Sequence, residues 1–132
     1  MTIFLVSCVT NVDEKKYLSE MGIDLKEKYE TVTSSSSSAI GDELIEFKLK
    51  VSNKDFQAIV TKIENLENFQ IVAENQNPVS NYKGQNKDME VFGWKRKDTY
   101  SYEIYKTSKS GYEFYNLTLL PDNTLTFQYS DE

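Results

Sequence analysis

Histidine is absent from this 132-residue chain, which removes the commonest general base near neutral pH and the commonest transition-metal ligand. Cysteine occurs once, at Cys8, so no disulfide can close within the chain, and one thiol without histidine leaves no ligand set for zinc. No glycine-rich phosphate loop is present, and no apolar run approaches the roughly eighteen residues of a membrane-spanning helix. Neither a cofactor nor a metal is expected. Proline and glycine are scarce, at two and five residues, whereas tyrosine supplies nine of seventeen aromatic rings. A tyrosine-rich, proline-poor chain of this size implies one compact domain built of strands with half-exposed rings.

The net charge of -6 is spread evenly, with seven acids and four bases up to Asp42 and fourteen acids and eleven bases after it. No basic arm or stripe exists, which argues against nucleic acid as a partner. The most basic stretch, 83–109, mixes seven bases with four acids and reads as a solvated hairpin rim.

At the N-terminus the apolar run Ile3-Phe4-Leu5-Val6 meets the lone cysteine, and the order Leu5-Val6-Ser7-Cys8 resembles the lipobox of bacterial lipoproteins. The resemblance covers four residues. It implies that residues 1–8 are the remnant of a signal peptide, that Cys8 is the lipid attachment point, and that the protein is anchored in the bacterial cell envelope, facing the periplasm or the exterior. Met1 to Ser7 has neither the length nor the positive start of a complete signal. The other reading makes Thr2 to Val9 a first strand with Cys8 a buried thiol, in a cytoplasmic protein. Residues 9–42, with the tract Ser34 to Ser38, read as a polar spacer between anchor and domain. Within it Tyr17, Leu18, Met21, Leu25 and Tyr29 recur at near-helical spacing, so a short helix over 13–30 is also expected, weakened by Gly22.

From Glu43 the pattern sharpens into a single α+β domain, 43–132. Ile45, Phe47, Leu49 and Val51 alternate with charged residues, as in a strand with one buried face. Ser52 and Asp55 form an acidic variant of the capping box, and Phe56, Ile59, Val60, Ile63 and Leu66 make an apolar helical stripe. Phe69 to Ala73 is a short strand candidate. Four further strands follow the polar connection Glu74 to Asp88: Met89 to Arg96, Thr99 to Thr107, Tyr112 to Leu120 and Thr124 to Ser130, the last pair joined by the turn Pro121-Asp122-Asn123. The expected fold is an antiparallel sheet of about five or six strands, ending in a meander, with one amphipathic helix across one face.

The candidate binding residues are Phe92, Trp94, Tyr100, Tyr102, Tyr105, Tyr112 and Tyr115, with Lys95 and Arg96 beside the only tryptophan, because tyrosine and tryptophan pair apolar area with a polar tip. Rings so placed also serve as cross-strand pairs. Glu90, Glu103 and Glu113 alternate along strands and read as solvent-facing, so no glycosidase-like carboxylate pair is expected and no nucleophile motif stands out. The expectation is a non-enzymatic domain that binds an unknown protein, a toxin or an envelope component, in the manner of inhibitor and immunity proteins; the alternative is a carbohydrate-binding accessory module. Any membrane contact runs only through the lipid.

Overall fold

A computed structural model describes residues 12–39, 42–78, 89–108 and 111–131. Cys8 and most of the connection Glu74 to Asp88 lie outside these residues. The elements in order are α1 (Glu14–Glu20), β1 (Glu30–Ala39), β2 (Asp42–Lys50), α2 (Asn53–Glu64), β3 (Gln70–Ile71), β4 (Met89–Arg96), β5 (Thr99–Ser108), β6 (Gly111–Leu120) and β7 (Thr124–Asp131). They build one sheet in the order β1-β2-β7-β6-β5-β4-β3, antiparallel throughout except for the short parallel pair β3 and β4. The meander of four is β4 to β7. None of the helices among the described residues is long and apolar enough to cross a membrane.

The β2 to α2 transition follows from local chemistry. Ser52 takes an extended conformation and its hydroxyl accepts the Asp55 N–H at 3.0 Å, which satisfies one of the four unpaired donors at a helix start. The Asp55 carboxylate then accepts the N–H groups of Lys26 and Glu27, at 3.1 and 3.0 Å, and so ties the chain before β1 to the start of α2. Phe56, Ile59, Val60 and Ile63 point into the sheet and are buried. α2 and the turn after it approach the sheet closely at Gly93, where a Cβ would stand 2.5 Å from Leu66 Cδ1 and 3.1 Å from Ile63 Cγ2.

Two expectations are corrected. Among the described residues the sheet has seven strands rather than five or six, and two helices pack on it rather than one. Both additions come from the stretch read as a spacer. Asp13 caps α1, its side chain accepting the Lys16 N–H at 3.2 Å. Gly22, at φ +76, ends the helix in a Schellman motif: its N–H reaches Ser19 O at 2.9 Å and the Ile23 N–H reaches Leu18 O at 2.9 Å. Gly22 is thus a stop signal and not a weak point within a longer helix. Leu18, Met21, Ile23 and Leu25 are all buried in the core. The serine tract becomes an edge strand paired along its length with β2. Serines carry no apolar alternation to read in the sequence; the register of the strand is set by the strongly patterned neighbour.

All described helical contacts lie on one face of the sheet. That face carries Ile45, Phe47 and Leu49 of β2, Tyr100, Tyr102 and Ile104 of β5, Tyr115, Leu117 and Leu119 of β6, and Leu125, Phe127 and Tyr129 of β7, none more than 8% exposed. Phe47 and Phe127 stack at 4.5 Å, and Tyr17 of α1 lies against Phe127 and Tyr129.

Candidate functional site

The pairing register fixes what stands on the opposite face, called open here because none of the described helices covers it. Across β4, β5, β6, β7 and β2, one row reads Glu90, Tyr105, Phe114, Ser130, Leu44; the next reads Phe92, Glu103, Asn116, Gln128, Glu46; the third reads Trp94, Ser101, Thr118, Thr126, Lys48. The aromatic residues of this face therefore gather at its β4 to β6 end, while its β7 to β2 end is polar except for Leu44. Phe92 meets Tyr105 edge-on at 5.8 Å, and Tyr105 leans on Phe114 at 4.7 Å. Phe92 is buried, Trp94, Tyr105 and Phe114 are half-buried, and Tyr112 is 60% exposed at the end of β6.

Glu103 sits inside this group. Asn116 Nδ2 donates to its Oε2 at 3.3 Å, and the Tyr105 hydroxyl approaches Oε1 at 3.5 Å. Burial lifts the Glu103 carboxyl above its ordinary range, and the Tyr105 hydrogen bond opposes the lift. The carboxylates expected to face solvent are thus not free: Glu103 is half-buried, Glu90 is 8% exposed, and Glu113 accepts the Tyr129 hydroxyl at 2.6 Å on the helix side. No group of three or more metal-ligating side chains comes together among the described residues.

The candidate set divides by parity. Phe92, Trp94, Arg96, Tyr105 and Tyr112 belong to the open face. Tyr100, Tyr102 and Tyr115, expected as binding rings, are core residues at 8%, 4% and 1% exposure. Their hydroxyls can be buried because each finds an acceptor: Tyr100 donates to Glu64 at 2.8 Å, Tyr102 to Met21 O at 2.8 Å, and Tyr115 to the Glu20 carboxylate at 3.1 Å. Burial raises all three hydroxyl pKa values, and the Glu20 and Glu113 charges add to the rise at Tyr115. Lys95 also leaves the open face, its Nζ lying 5.2 Å over the Tyr100 ring. Arg96 stays on the open face but is turned to the chain beyond β3, where Nη2 donates to Gln76 O; its Nε is buried with no hydrogen-bond partner among the described residues.

Phe114 and Asn116 complete the open-face group and were missed in the sequence. Their signal was available: with Tyr115 and Leu117 assigned to the core, the even positions of β6 must face outward. Two pockets among the described residues lie on the helix side. One, of about 240 Å³, lies between α1 and the β1–β2 end of the sheet and is lined by Val12, Asp13, Lys16, Tyr17, Ser36, Glu43 and Ile45. The other, of about 210 Å³, is lined by Gly22, Ile23, Asp24, Ala58, Ile59 and Lys62.

The chain matches no protein-family model, no curated protein and no solved structure.

Proposed function

We propose that this chain is a non-enzymatic protein-binding domain of the bacterial cell envelope, tethered through a lipid on Cys8, that meets its partner with the aromatic end of the open sheet face. The observation behind this reading is the half-exposed group Trp94, Tyr105 and Phe114 on a face that no described helix covers, with Tyr112 exposed beside it. Rings fixed on strands bring contact area at low entropic cost, which is how interface anchors work. The acidic charge and small size suit an inhibitor or immunity-type role toward a toxin or an envelope component.

The test is cross-linked capture from the native envelope with the wild type and with a Trp94→Ala/Tyr105→Ala variant that is still fully folded at the capture temperature by its circular dichroism. A protein captured by the wild type and lost in the variant supports the reading; identical capture by both contradicts it. A second reading, a carbohydrate-binding module, is favoured by one feature: the row Glu103, Asn116, Gln128 sets planar hydrogen-bonding groups beside the rings. Glycan retention that depends on Trp94, with no captured protein, would select it.

A further inference from the structure

Glu103 is a half-buried acid set among rings. The register places it directly opposite Phe92 on β4 and Asn116 on β6, with Glu90 and Trp94 on the β4 diagonals, Phe114 on a β6 diagonal and Tyr105 two positions along its own strand. Its hydrogen-bonding neighbours, the Asn116 amide and the Tyr105 hydroxyl, carry no charge. A carboxylate that gives up water in this way is normally matched to a base.

Among the described residues no base meets it. Arg96, on the same face, is turned to Gln76 O. Lys95 and Lys106 belong to the helix face, where they lie over the Tyr100 and Tyr115 rings. Lys48 and Lys50 stand on β2, three strand spacings from β5, or roughly 14 Å and more. The charged residue beside Glu103 in the register, Glu90, is a second acid. Burial has raised the Glu103 carboxyl pKa, as expected of an acid whose charge no base offsets.

A flat cation fits these surroundings. A guanidinium stacks on aromatic faces through its plane and gives two parallel N–H donors to a carboxylate through its edge. Asn116 and Tyr105 use only part of the acceptor capacity of a carboxylate, which has about four lone-pair sites. Trp94 and Phe114 are both half-buried, so each keeps some ring surface exposed. Tyr105, packed against Phe92 and Phe114, forms a fixed wall.

We propose that Glu103, flanked by Trp94 and Phe114, is a guanidinium site that takes an arginine of the partner protein, an assignment that rests on the protein-binding reading of this face and names the chemistry of its partner. The partner surface is basic where this face is acidic and aromatic. Charge matching of this kind sets specificity and on-rate, and a central arginine is a common interface anchor.

The experiment titrates the full chain with capped Ala-Arg-Ala, Ala-Lys-Ala and Ala-Gln-Ala peptides, read by the emission of Trp94, the single tryptophan, and by backbone amide shifts in NMR. Glu103→Gln keeps the shape of the side chain and removes its charge. Glu46→Gln removes an exposed charge from the same row on β2 and controls for net charge. The arginine peptide is expected to bind with Kd on the order of 1 mM, the lysine peptide about threefold more weakly and the neutral peptide about tenfold or more. Glu103→Gln should weaken the arginine peptide about threefold to tenfold, and Glu46→Gln less than about twofold. Three results would each overturn the proposal: a lysine or neutral peptide bound as tightly as the arginine peptide, no response at Trp94, or equal weakening by Glu46→Gln and Glu103→Gln. An envelope protein captured through Trp94 in equal yield by the wild type and Glu103→Gln would overturn the arginine site and keep the protein-binding reading. Arginine-selective binding with no captured protein would overturn that reading and keep the site.

Discussion

The two faces of the sheet use the same residue type for opposite purposes. Tyr102 and Tyr105 are three positions apart on β5; the first is 4% exposed with its hydroxyl on Met21 O, the second is half-buried on the far side with its hydroxyl near Glu103. On the helix face a tyrosine fills volume and ties a helix to the sheet. On the open face it packs against Phe92 and Phe114 and keeps part of its ring at the surface. Side-chain parity along a strand, and not residue identity, decides which.

The sharpest way to break this contrast is to truncate neighbours on opposite faces. Leu117→Ala removes a fully buried side chain and should cost about 2–5 kcal/mol, whereas Thr118→Ala beside it should stay within about 0.5 kcal/mol; urea unfolding of the pair measures both. Next comes Asp55→Ala. It withdraws the acceptor of two backbone N–H groups and should cost about 1–3 kcal/mol, read the same way, with the chain between α1 and β1 gaining hydrogen exchange.

The faces should also differ in their response to pH. Tyr115 and Tyr129 have hydroxyl pKa values raised above 10 by burial, with Glu20 acting on the first and Glu113 on the second. A group whose folded pKa is raised keeps its contribution below the unfolded value and loses it as pH climbs toward the folded one. Stability should therefore fall from about pH 10 upward. Tyr129→Phe, which has no hydroxyl to ionise, should soften that fall in a pH series of melting temperatures. The smallest effect is expected at Glu103, whose carboxyl pKa is raised mainly by burial. By the same sign rule its protonated form suits the fold better, so Glu103→Gln should be slightly more stable than the wild type near pH 7 and show no gain near pH 4.

Much of this division was legible in the sequence. The alternation Ile45, Phe47, Leu49 and the stripe Phe56 to Leu66 stood out because each buries one face of one element against the core. The meander was legible because its turns carry their own chemistry: Asp122 accepts the Thr124 N–H at 3.2 Å and Asn123 takes φ +65, as an Asx residue can. What the pattern hid was β1 and the extent of α1. An edge strand of serines carries no apolar alternation to read, and a seven-residue helix closed by a glycine presents only two turns of periodicity. The aromatic set was pooled across two faces because ring content draws the eye more than parity does. Once divided, its core half has acceptors that no spacing rule foretells, such as Glu20 for Tyr115 across 95 positions.

The face division is tested most directly by the unfolding free energies of Tyr102→Ala and Tyr105→Ala, measured side by side in urea. The expected result is a loss of about 3–5 kcal/mol for Tyr102→Ala and about 1 kcal/mol for Tyr105→Ala. Equal losses, or the larger one at Tyr105, would mean that the open face is structural core as well, and would contradict the account.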